Sequence, residues 1–397
     1  MLPLQGIKVL EFTHAVMGPS CGLLLAEMGA EVIHIEPITG DYTRQLQGFG
    51  SGFFDMYSRS KKSLAIDLKQ AEGKEIIYSL TRDCDVIVEN FGPGTFERLG
   101  FGYEKMRSLN ERLIYCSLKG FLQGPYEHRP AMDEVVQMMG GLAYMTGREG
   151  DPHRAGSSII DITGGMFGYI GILQALYERE RTGQGKFVKA SLFETCVFLM
   201  GQHMAYASIL GPGAKLPPMA GKNSPWSVYR PFKTADRKQV FIGIISDKHW
   251  RAFCEAFDWK EWQDDPRLQS NNDRIAQNDW LIPELEKRLQ ALREAQIIEK
   301  CDQARIPFAP IARPEQLFDD PHLNAAGALL PVTLKDGTPT KLPRIPLEYG
   351  DNASRIEATR PPRLGEHSRE ILTQAGLAQE AIDQLLKKGI CVSSGED

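Results

Sequence analysis

The chain of 397 residues lacks most of the signatures that assign a function at once. Its seven cysteines, Cys21, Cys84, Cys116, Cys196, Cys254, Cys301 and Cys391, are scattered, odd in number and never form a CxxC pair. They read as free thiols in a reducing cytoplasm, not as a disulfide framework or a zinc cage. The eight histidines are dispersed as well, so no metal site is visible. Lys and Arg total 46 against 51 Asp and Glu, a net charge of −5 with no basic stripe, which speaks against nucleic acid as the main partner. The opening MLPLQGIKVLEF has no cationic flank ahead of a long apolar region. No signal peptide is read there, and no apolar run looks long enough to span a membrane.

The pattern that is present is α/β. Ile7 to Phe12 reads as a strand, Thr13 to Pro19 as a loop, Cys21 to Met28 as a helix ending at Gly29, and Glu31 to Glu36 as a second strand. This βαβ unit implies a parallel sheet with crossover helices. Glu36 imitates the ribose-binding acid of a dinucleotide fold. The loop from Thr13 to Gly18 nevertheless lacks G-x-G-x-x-G, the glycines that let backbone approach a pyrophosphate. A doubly wound scaffold without a nicotinamide cofactor is expected. Further strands are read at 63–67, 85–89, 113–117 and 187–191, with helices at 72–81, from 95, at 162–181 and on to about 210. Gly211 to Pro218 marks a change of texture, so residues 1–210 are read as a large domain and 211–225 as a linker. Residues 226–324 follow as a small α+β domain, and 325–397 as a return segment completing the large one.

One acid stands out. In GSSIIDITGGMFGYIGILQAL, residues 156–176, an apolar pair delivers Asp161 to the start of a long helix pattern. Aspartate is a favoured N-cap, because its oxygen accepts from an early helix amide and the helix dipole favours an anion. The same free amides can hold a carboxylate ionised for attack on an acyl group. Gly164 and Gly165 would let a bulky ligand approach and offer amides to an oxyanion. The residues alone leave cap and nucleophile both open.

The order of several short motifs resembles family III CoA-transferases of the CaiB/BaiF type, the group containing formyl-CoA transferase, carnitine CoA-transferase and α-methylacyl-CoA racemase. They are LxGIKVLEFTHAVMGPSC, GAEVIHIEP, VENFGPG, IIDITGG, TGQGKFVKASLFET and RPPRLGEHS. The resemblance implies a Rossmann-like large domain and a small α+β domain in ring-shaped subunits that interlock as a homodimer. It implies Asp161 as the nucleophile, with Asp133 close by. The racemase branch uses a histidine where this chain has Met132, and methionine cannot exchange a proton, so transferase is favoured over racemase. A non-catalytic CoA-binding module, with Asp161 only a cap, is the reading from another class.

By the same resemblance His14, Ala15, Met17, Asn90, Phe91 and Arg98 would contact the CoA nucleotide, and Arg44 and Lys69 its phosphates. Acyl-CoA and a carboxylic acid are then the substrates, with no permanently bound cofactor. Val16 stands where the formyl-CoA transferase branch has glutamine, and MAGKNSPW carries one glycine, Gly221, where that branch has a run of them. Formate and oxalate are therefore poor expectations. Succinyl-CoA as donor and a small dicarboxylate such as itaconate, mesaconate, malate or citramalate as acceptor are expected instead. Arg44, Arg59, Lys222 and Arg230 are the candidate partners for a distal carboxylate.

Overall fold

The computed structural model describes residues 2–219, 224–325, 327–348 and 359–394. Gly221, Lys222 and Asn223, named above in the MAGKNSPW stretch, lie outside them. The chain divides into two compact units, Met1–Leu216 with Ala325–Asp397 and, between them, Pro217–Asn324.

The larger unit is built on a seven-stranded sheet. Its strands are β1 (Lys8–Phe12), β2 (Glu31–Glu36), β3 (Lys62–Ile66), β4 (Val86–Glu89), β5 (Ile114–Lys119) and β6 (Phe187–Ser191), all parallel in the order 3-2-1-4-5-6. The central strands are short, rich in Val and Ile, and buried on both faces, as parallel strands under crossover helices must be; the edge strand β6 is partly exposed. Successive residues face opposite layers. Val9, Val32, Val86 and Cys116 belong to one core with α1 (Met17–Glu27). Leu10, Ile33, Ile87 and Tyr115 belong to a second core on the other side. The second core also takes up α3 (Ala71–Arg82), which follows the short α2 (Phe53–Tyr57), together with α4 (Thr95–Leu99) and α5 (Tyr103–Leu109).

Three helices separate the last two parallel strands: α6 (Asp133–Met139), α7 (Leu142–Thr146) and the long α8 (Ile159–Thr182). Helices α9 (Leu192–Leu199) and α10 (Gly201–Leu210) follow β6. At 24 residues α8 is long and apolar enough to cross a membrane by length and composition, contrary to the sequence reading. Here it serves as a core helix, lying on α1 and on β5 and β6. Gly164 and Gly165 face α1: a Cβ on Gly165 would stand 2.1 Å from Ser20 Oγ and 2.5 Å from the Met17 carbonyl. Gly164 would meet Met17 Cε at 2.8 Å. These glycines are buried spacers between helices, not an opening for ligand.

The smaller unit holds the antiparallel sheet β7 (Val228–Lys233), β8 (Gln239–Ile244) and β9 (Phe308–Pro310). Its core gathers Trp250, Phe253, Trp262, Leu281, Leu285 and Ile297. Back in the larger unit, a hairpin of β10 (Leu329–Thr333) and β11 (Pro339–Pro343) precedes two helices, Ser368–Gln374 and Gln379–Lys387. β12 (Cys391–Val392) then closes the sheet by antiparallel pairing with β3.

Candidate active site

In an open doubly wound sheet, ligands bind at the carboxyl ends of the strands where the strand order reverses. Here that point lies between β1 and β4, whose following loops carry His14–Val16 and Asn90–Gly94. Helix α1 begins at Met17, four residues before the expected start at Cys21. Pro19 falls in its first turn, where the missing amide would have no helical partner anyway. Gly18-Pro19 therefore opens a helix instead of extending a loop, and the first crossing loop is short. Ala15 holds a left-handed backbone conformation, φ 63°, which turns the chain between β1 and α1.

Asn90 ties the two loops together. Its Oδ1 accepts from the His14 amide at 3.0 Å and its Nδ2 donates to the His14 carbonyl at 2.8 Å. Phe91 stacks on Phe96 at 5.4 Å and touches the His14 ring at 5.7 Å. Burial, helped by the charges of His34 and Lys119 against the pull of Asp41, holds His14 below the ordinary imidazole value. Lys119, at the end of β5, donates to Glu89 at 2.8 Å and to the Phe91 carbonyl at 2.7 Å.

These loops bound a cavity of about 680 Å³ in the larger unit. Of the residues expected from sequence, His14, Ala15, Met17, Asn90, Phe91, Asp133 and Asp161 all line it. Arg44, Lys69 and Arg98 are not among its lining residues. Arg44 is engaged in a two-pronged pair with Glu36 (2.8 and 2.6 Å), donates to the Pro362 carbonyl and stacks over Phe54. Lys69 lies exposed in the turn after β3, and exposed Arg98 donates to Thr95 Oγ1 on its own helix. Arg59, considered for a distal carboxylate, is buried against Glu27 and the Pro343 carbonyl, where it docks the β10–β11 hairpin. Arg230 is an exposed residue of β7 in the smaller unit. The guanidinium that does border the cavity is Arg129, which sequence reasoning passed over. It sits over the Tyr126 ring, and among the described residues no carboxylate pairs with it. Its only signal was the RPAMD stretch, read for Met132 and Asp133 alone.

Asp161 is not the cap of α8. It is the third residue of that helix; Ser158 occupies the N-cap position and makes no capping bond. The cap comes from Asp133, the first residue of α6. Its Oδ2 accepts from the Ile160 amide at 2.8 Å and from the Asp161 amide at 3.0 Å. The Asp161 carboxylate, half-buried at the cavity wall, accepts no hydrogen bond among the described residues. Burial raises its pKa to about 7, and the negative charges of Asp133 and Glu134 add to the rise. Two of the helix amides that could have held it ionised are instead taken by Asp133. Partial burial, with the Asp161 charge adding to it, raises the phenol of Tyr57 to about 12. Among the described residues no cluster of three or more His, Cys, Asp or Glu is arranged to hold a metal ion.

The scaffold is thus a doubly wound α/β sheet with the Asp161 carboxylate lining a cavity at its switch point. The chain belongs to CoA-transferase family III, whose model matches residues 4–368. It is an enzyme that transfers CoA. It is 34% identical to a formyl-CoA:oxalate CoA-transferase of Rhodopseudomonas palustris, over 93% of this chain and 92% of that one. It is 35% identical to an acetyl-CoA:oxalate CoA-transferase of Acetobacter aceti, over 86% and 89%. Among solved structures, a CaiB/BaiF family protein from Brucella suis matches with a TM-score of 0.83 and 29% identity, covering 94% of this chain and 99% of that one.

Proposed function

We propose that the chain moves CoA from an acyl-CoA to a free carboxylic acid through covalent intermediates on Asp161. The observation that carries this reading is the Asp161 carboxylate, without a hydrogen bond among the described residues, at the wall of a switch-point cavity while another acid caps its helix. An Asp161 oxygen attacks the thioester carbonyl; the C–S bond breaks, CoA leaves as thiolate with the bonding pair, and a mixed anhydride forms. The thiolate attacks the aspartyl carbonyl of that anhydride, releasing the donor acid and leaving an aspartyl-CoA thioester. The acceptor carboxylate attacks this thioester and expels the thiolate again. The thiolate then attacks the acceptor carbonyl of the second anhydride, giving the new acyl-CoA and restoring Asp161. Water must be kept from both anhydrides and from the thioester. CoA esters enter as substrates, and no other cofactor has a step.

Succinyl-CoA as donor and a small dicarboxylate as acceptor remain the finer reading. Arg129 supports it as a guanidinium at the cavity, suited to a carboxylate or a CoA phosphate. Oxalate is the second reading, favoured by the names of the two bacterial relatives. The active unit is proposed to be the interlocked homodimer that the family resemblance implies. Exposed Met166, Ile170 and Tyr177 of α8 and Phe198, Ile209 and Leu210 of α9 and α10 support a partner subunit over that face. The test is incubation with succinyl-CoA, acetyl-CoA or formyl-CoA and a panel of itaconate, mesaconate, malate, citramalate, glutarate, oxalate and formate. New thioesters are read by mass spectrometry beside Asp161→Ala. A thioester that forms only with the intact chain establishes the transfer and names the acceptor. Product from oxalate alone replaces the reading of a C4 or C5 dicarboxylate acceptor.

A further inference from the structure

Asp133 is 3% exposed and every polar contact it makes is accounted for. Oδ2 takes the two α8 amides, and Oδ1 accepts from Nε2 of Gln137, one turn along α6. Gln137 is fully buried, and its Oε1 accepts from the Ala155 amide at 2.8 Å, in the segment leading into α8. One carboxylate therefore joins the start of α6 to the start of α8, and its neighbour joins α6 to the approach of α8. The substrate-facing carboxylate is the next side chain along. Three of the roughly four acceptor sites of this carboxylate are thus engaged in joining the two helix starts.

We propose that Asp133 is a positioning residue: it clamps the first turn of α8 from outside, leaves the Asp161 carboxylate free for the acyl group, and contributes its charge, not a proton. The inference rests on Asp161 as the nucleophile. The remote clamp solves a conflict local to the helix start. An acid in the first turn normally turns back onto the early amides and is held there as a weak base. With those amides occupied, Asp161 keeps its oxygens for substrate. The like charge of Asp133 makes it more basic, which strengthens a carboxylate nucleophile that is still half-ionised at neutral pH. The other groups facing Asp161 are Glu134 on α6, Tyr42 in the turn after β2 and Tyr57 on α2, and His14, Lys119 and Arg129 also line the cavity. Glu134 is paired with Arg154, so its charge is partly offset, whereas Asp133 has no cation partner among the described residues.

The experiment is the pH profile of kcat/KM for CoA transfer in Asp133→Asn, Asp133→Glu and Asp161→Ala. Asparagine retains an oxygen for the α8 amides and removes the charge. Its acid limb should move down by about one pH unit, while the thermal melt falls modestly because its Nδ2 now meets the Gln137 Nε2 donor. Glutamate retains the charge and shifts the clamp, so its limb should stay in place while kcat falls. An Asp133→Asn profile superimposed on that of the parent, or one as inactive at every pH as Asp161→Ala, overturns the inference. So does an Asp133→Glu limb that moves as far as that of Asp133→Asn. Activity retained by Asp161→Ala overturns the nucleophile reading itself; with Asp161→Ala inactive, an unshifted asparagine variant overturns only the role of Asp133.

Discussion

Asp161 lies in the pH range where a small change of environment decides its charge. Transfer should rise with pH through about 7, where an ordinary carboxylate would be fully active from about pH 5. Asp161→Ala should lower kcat/KM by about a thousandfold or more, measured with whichever acceptor the panel identifies. The same residue costs stability. Its pKa is higher in the folded chain than in an unfolded one, so its contribution is fully present at low pH and lost as pH rises through 7. Asp161→Asn should therefore raise the melting temperature at pH 8 more than at pH 5, and an equal rise at both would contradict the burial argument.

His34 behaves in the opposite sense to an ordinary buried imidazole. Burial alone would lower its pKa, but Asp41 and Glu11 outweigh burial and raise it to about 9. Its Nδ1 meets Glu11 at 3.0 Å, and its Nε2 faces Asp41 at 3.5 Å. Asp41 in turn holds Thr43 at 2.7 Å, in the turn that brings Tyr42 to the cavity. A raised imidazole stabilises fully below its unfolded value of about 6.5 and loses that contribution as pH climbs through about 9. His34→Ala should cost about 3 kcal/mol at pH 6, read by urea unfolding, because it leaves Asp41 without its buried cation. The loss should shrink by pH 10.

At the scale of elements, α8 shows what a sequence can and cannot disclose. Its existence and extent were legible from apolar spacing, and so was the parallel sheet beneath it, because strands buried on both faces read as unbroken Val/Ile runs. The purpose of Gly164 and Gly165 was not legible. A glycine needed for helix contact and one needed for ligand approach leave the same letter, and only the position of α1 separates them. The clamp was hidden for a related reason. Asp133 and Asp161 are 28 residues apart, and no local pattern announces that an acid on one helix will cap another. Arg44 and Arg59 were expected at substrate, yet partners brought from β2, α1 and the β10–β11 hairpin consume them. Gly165→Ala tests the helix contact directly. Alanine favours helix by about 1 kcal/mol over glycine, but its methyl would press on Ser20 and the Met17 carbonyl. Net destabilisation of about 1–3 kcal/mol is expected, measured by chemical unfolding, and a stabilised variant would refute the close approach.

At the scale of the molecule, the proposed dimer makes its own prediction. The chain should sediment as a dimer at micromolar concentration. Paired substitutions Phe198→Glu and Ile209→Glu should yield monomer with CoA transfer lost, since charges on that apolar face cannot be buried unpaired. An active wild-type monomer would dismiss the arrangement.

The sheet closes late. Strand β3 pairs with β12, and the Ser63 amide donates to the His367 ring across 304 residues of sequence. The whole smaller unit is interposed between these partners. During synthesis the edge of β3 must wait, unpaired, while the intervening chain leaves the ribosome, and an unpaired edge invites association with other strands. The smaller unit, being continuous, can mature in that interval. Birth order is thus built into the topology: the part translated in the middle is the first that can be finished, and the sheet carrying the chemistry is among the last.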